Sequence, residues 1–166
     1  MKEISREDVE NCSKKCDEFF RARMDLYHVF VQQEYLDYFS KEDEVYCTGH
    51  PGEYHGLAKD CKRNIIMLEK SGVGNPALYR SLVKKYHRTE DSITVAYELI
   101  PDEEIAKLSA DAIISIYMGE MYHERWGGAF ASLFKCPFFL KSLKRLKEIL
   151  DEYDSGKVHY SHNFRI

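Results

Sequence analysis

The sequence predicts an all-α protein: a single-domain helical bundle of about five to seven helices, led by a long N-terminal helix. Three observations predict it. From Ser5 to Phe39 the chain runs without a Pro or Gly, and its apolar residues recur at helical spacing. Beyond that, stripes stepping by three and four residues alternate with short Gly- and Pro-containing breaks. The chain has 166 residues, 44% hydrophobic and 31% charged, with no linker or repeat, which is enough to bury one core over residues 1–166.

Ser5 and Asp8 fit a capping box that opens the first helix. Val9, Cys12, Cys16, Phe19, Phe20, Tyr27, Phe30 and Tyr38 then gather on one face, with a bend or break expected near Gln32-Gln33. Arg23 and Glu34 fall inside that stripe. Pro51 suits the first turn of a second helix, because its missing N–H costs nothing there. The stripe of that helix is Tyr54, Leu57, Ala58, Cys61, Ile65 and Leu68, and the Gly- and Pro-bearing segment 71–76 stops it. Leu78, Tyr79, Leu82, Val83 and Tyr86 mark a third, shorter helix.

Segment 92–100 carries two signals. Ile93, Thr94 and Val95 favour a strand, whereas Ile93, Ala96, Tyr97 and Ile100 are spaced for a helix. Helix is preferred, because no partner strand is evident. Pro101 opens the next helix, with Ile105, Leu108, Ala112, Ile116 and His123 as its stripe and acidic residues in its first turn. Trp126-Gly127-Gly128 interrupts, and residues 129–134 give a short helical turn. Pro137 opens the last helix, striped by Phe139, Leu143, Leu146, Leu150 and Tyr153. Ser155-Gly156 ends it, and 156–166 form a C-terminal tail, read as an extended arm.

With 24 basic and 28 acidic side chains, the net charge of -4 gives no global pull toward nucleic acid or anionic membrane. Five cysteines cannot complete a disulfide framework. Cys12 and Cys16, four apart on a helix, hold their Cβ atoms about 5–6 Å apart, and a disulfide needs about 3.8 Å. Reduced thiols, no secretory leader and no apolar run of about 18–20 residues together predict a cytoplasmic protein.

Cys47, His50, His55 and Cys61 are spaced C-x2-H-x4-H-x5-C. The segment resembles a zinc knuckle, with His50 in place of the second Cys and the last gap one residue too long. On a helix that starts at Pro51, Cys61 faces the core. His55 then points about 120° away, with about 9 Å of axial rise between them. A turn followed by a core helix is therefore expected, and zinc would require the helix to start after about residue 58.

Glu120 and His123 form an E-x-x-H pair on one helix face, which resembles part of the carboxylate–histidine site of ferritin-like bundles. With Glu34 on the stripe of the first helix, Glu34, Glu120 and His123 are candidate ligands pointing to one interior. Iron, manganese or zinc would suit them. The resemblance is partial: Glu53 and His55 have the wrong spacing for a second pair, and Glu98 is the only other fitting acid. A hydrogen-bonded core histidine and an Arg–Glu pair are the plainer reading.

Arg23 with His28 and Arg80 with His87 have spacings similar to those of HEPN-type ribonucleases, although Met24 and Ser81 stand where that pattern has Asn, Asp or His. Lys141, Lys144, Arg145 and Lys147 read as a solvated face without interleaved aromatics. No catalytic constellation is complete. The functional expectation is a non-catalytic helical interaction or regulatory protein, partnered by another protein or self-associating through an apolar helix face. A metal- or cofactor-binding bundle, redox-active or not, and a HEPN-like ribonuclease follow it.

Overall fold

The most apolar segment of the chain, Ala110–Gly119, is a helix in which every residue is buried, as expected of a helix that is hydrophobic all round. The other elements wrap it. A computed structural model describes residues 3–41, 44, 46–48, 53–124 and 128–157. In chain order these form α1 (Arg6–Phe30), α2 (Gln33–Phe39), strands β1 (Cys47–Thr48) and β2 (Glu53–Tyr54), α3 (Gly56–Lys70) and α4 (Pro76–Lys85). A 3-10 turn (Tyr97–Leu99) follows, then α5 (Asp102–Ile105), α6 (Ala110–Gly119), α7 (Met121–Glu124), α8 (Ala129–Lys135) and α9 (Pro137–Asp154). Among the described residues the helices of ten residues or more are α1, α3, α4, α6 and α9. The protein is an all-α bundle with a long N-terminal helix, and its only sheet among those residues is the antiparallel pair β1–β2.

α6 packs against α3, α4 and α9. Its start is set by Ser109, whose hydroxyl accepts the Ala112 N–H at 3.1 Å. Polar groups inside the bundle are tied to it. Asp111 accepts the Tyr27 hydroxyl at 2.5 Å and Arg23 Nη1 at 2.8 Å, and Tyr117 and Ser142 share a hydrogen bond at 2.5 Å. Phe39, Phe134 and Phe139 stack mutually, with centroids 4.8–5.0 Å apart, and join α2, α8 and α9. The stripes read for α3 and α9 are buried as expected: Ala58, Cys61, Ile65 and Leu68 in one, Phe139, Leu143, Leu146 and Leu150 in the other. The Schellman-like stop of α3 uses Gly72 at φ +75°, a left-handed conformation that suits glycine.

Five expectations are corrected. The stripe of α1 is not buried along its length: Phe20, Met24, Tyr27 and Phe30 are in the core, while Val9, Cys12, Cys16 and Phe19 face outward. Glu34 does not face the interior. Val31 and Gln32 are extended, so α2 restarts the helical phase and puts Glu34 in its own first turn, exposed. α3 begins at Gly56 rather than at Pro51, because Glu53 and Tyr54 pair with Thr48 and Cys47, and His55 N–H donates to the Tyr46 carbonyl at 3.0 Å. Segment 92–100 is helical only over Tyr97–Leu99: Ala96 N–H donates to the Tyr86 carbonyl at 2.8 Å and Val95 N–H to the Tyr79 hydroxyl at 3.4 Å. The helix expected from Pro101 to His123 is likewise three pieces, divided first by the Ser109 cap. His50, Pro51, Trp126 and the arm 158–166 lie outside the described residues. No helix among the described residues is long and apolar enough to cross a membrane.

Candidate functional site

The three expected metal ligands have different environments. Glu120 caps the C-terminus of α6 and is only 6% exposed. Among the described residues the buried polar ones are Ser109, Asp111, Ser115, Glu120 and Ser142. Ser109, Asp111, Ser115 and Ser142 have hydrogen-bond partners; the Glu120 carboxyl has none among the described residues. Burial pushes its pKa up to about 7, and the nearby Glu98 and Glu124 carboxyls push in the same direction. His123, one turn further on in α7, is half-buried and lines a pocket of about 480 Å³ with Val73, Tyr79, Arg80, Ile93 and Met118. Glu34 is exposed on α2. Among the described residues no three His, Cys, Asp or Glu side chains are grouped so that they could hold a metal ion.

The Cys47–Cys61 segment divides as the helix start requires. Cys61 is fully buried on α3, and burial pushes its thiol well above the usual range. His55, outside the helix, is exposed and bonded to the Thr48 hydroxyl at 2.7 Å. Three members of the two Arg/His pairs are bonded elsewhere: Arg23 to Asp111, His28 to Asp154 at 2.9 Å, and His87 to the Lys84 carbonyl at 2.9 Å; Arg80 lines the pocket. On α9, Lys141 pairs with Asp102, Arg145 with Glu148 and Lys147 with Asp151. These ion pairs lace that face of α9.

Sequence reasoning missed a clamp at the α7–α8 junction. Glu124 accepts the Tyr54 hydroxyl at 2.6 Å, Lys62 Nζ at 2.9 Å and the Phe130 N–H at 2.8 Å. Burial alone would raise the Glu124 pKa; the Phe130 N–H, Tyr54 and Lys62 outweigh it and keep the carboxyl below its ordinary range. Its acceptors are filled by the fold, so this is a structural tie. Nothing local in the sequence links residues 54, 62, 124 and 130.

The N-terminal half of α1 turns apolar side chains outward, with the Phe19 ring lying against the Arg23 guanidinium, 4.6 Å from its centroid. Apolar or core-facing positions step 9, 12, 16, 19, 23, 26, 30, the alternating three-and-four spacing of a coiled-coil seam. From Phe20 onward the helix packs against α3 and α9, with Phe20 edge-on to Tyr153 at 5.5 Å. Before that point the seam faces outward: Val9 is 58% and Phe19 60% exposed, and Cys12 and Cys16 are exposed. The four positions are symmetric about residue 14, with cysteines two residues to either side and Val9 and Phe19 five to either side. No protein-family model, no curated protein and no solved structure matches the chain.

Proposed function

We propose that this is a non-catalytic helical interaction protein that self-associates by pairing the N-terminal halves of α1. The pairing is antiparallel about a two-fold axis near Lys14, in the cytoplasm, where Cys12 and Cys16 stay reduced. The observation that carries the reading is the outward face Val9, Cys12, Cys16 and Phe19. Its symmetry makes it self-complementary: in an antiparallel pair Val9 meets Phe19 of the second copy, small against large, and Cys12 meets Cys16. An isologous interface needs one patch to match itself in this way. The overlap runs from residue 6 to residue 22, mostly ahead of the buried part of the helix.

Sedimentation across a concentration series tests it. The wild-type chain is expected to move from monomer to dimer. Phe19→Glu removes two large side chains per dimer at about 1.5 kcal/mol each, so it should weaken association roughly a hundredfold. Since Phe19 is mainly exposed in one chain, the monomer should lose only its contact with the Arg23 guanidinium, about 0.5–1 kcal/mol. A wild-type chain that stays monomeric at hundreds of micromolar would sink the proposal.

A further inference from the structure

Resting on that pairing, we propose a metal site that only two copies complete: one zinc ion held by the four thiolates of Cys12 and Cys16 from each α1. Within one chain the two cysteines are exposed on the same helix face, one turn apart. Residues four apart on a helix are neighbours, so both thiols can approach one ion. The antiparallel pair sets Cys12 against Cys16 of the second copy, twice, in the two layers next to the axis. Four sulfur ligands then converge on one point, the closed set zinc prefers, with Zn–S bonds of about 2.3 Å in a tetrahedron.

Charge supports the assignment. Two thiolates one turn apart repel, and a divalent cation between them offsets that repulsion. A zinc ion with four thiolates carries a net charge of two minus. In that pairing Lys15 flanks the seam and comes near its counterpart across the axis. Without an anion at the centre the two Lys15 ammonium groups oppose each other; with the zinc–thiolate centre they compensate it. The remaining cysteines are placed differently: Cys61 is buried, and Cys47 and Cys136 are half-buried. Binding releases the thiol protons to solvent and leaves the oxidation state of sulfur and metal unchanged.

The test is equilibrium sedimentation of the full reduced chain with zinc chloride or with a chelator, alongside zinc analysis of the separated dimer. The expected result is one zinc per two chains and a dimer at least tenfold tighter with zinc. Cys12→Ser/Cys16→Ser should lose both the zinc and that tightening, while keeping the weaker metal-free pairing. A dimer that binds no zinc, or dimerises equally in chelator, overturns the site and leaves the self-association standing. Zinc retained by the double serine variant also overturns it, by placing the metal elsewhere. A monomer under both conditions overturns this inference and the proposed function together.

Discussion

Glu120 is a carboxyl held in the wrong solvent. It is 6% exposed, and its pKa is raised from 4.5 to about 7 by burial first and then by Glu98 and Glu124. The sign of its effect on stability follows. Between about pH 4.5 and 7 the folded chain holds a proton that the unfolded chain releases, so stability falls as pH rises across that window. Above it the full penalty is present, of order 3 kcal/mol at most. Glu120→Gln removes the charge and should flatten the dependence. Urea midpoints at pH 5 and pH 8 are expected to differ for the wild type and to draw together in the variant. An equally steep fall in Glu120→Gln would assign the dependence to other groups. Asp111 is also raised by burial, but Tyr27 and Arg23 pull against that.

At the scale of elements, close packing on α6 makes Gly119 a point of sensitivity. A methyl group there would collide with the ring of Tyr79 on α4. Gly119→Ala should therefore destabilise the chain by about 1–3 kcal/mol, despite the better helix propensity of alanine. Tyr79→Leu in the same chain should return part of that loss; no recovery would mean that the collision is not the cause. The glycine's role was not legible in the sequence, because Tyr79 is forty residues away and nothing local announces the meeting. Stripes were legible where one element lies over another for its whole length, as with Ala58, Cys61, Ile65 and Leu68 on α3. They misled on α1, since periodicity marks an apolar face without saying whether the same chain covers it. Glu34 was misplaced for a related reason: an extended pair at Val31 and Gln32 shifts the phase of every later residue. Of the candidate site, the E-x-x-H pair was visible, and so was the lack of companions it needed. The lone burial of Glu120 and the outward turn of Val9, Cys12, Cys16 and Phe19 required the fold.

For the whole molecule, α1 belongs to two bodies at once. Its second half is sealed into the bundle through Phe20, Met24, Tyr27 and Phe30, with Arg23 and Tyr27 anchored on Asp111 of the central helix. Its first half has few buried neighbours, and in one chain it is held mainly by helical hydrogen bonds and the Ser5–Asp8 capping box. An isolated helix of that length is marginal in water, so residues 6–19 should open and close independently of the core. Amide hydrogen exchange separates the two halves. In dilute solution the amides of residues 8–19 are expected to exchange orders of magnitude faster than those of α6. At concentrations where chains pair, they should slow while α6 is unchanged. Removing residues 1–17 should then give a chain that melts within a few degrees of the Phe19→Glu monomer and no longer associates. If the truncated chain instead unfolds, the N-terminal half is part of the fold's own stability, and its exposed seam has to be explained from within one chain. Concentration-dependent protection confined to residues 8–19 would instead assign the cover of this face to a second molecule.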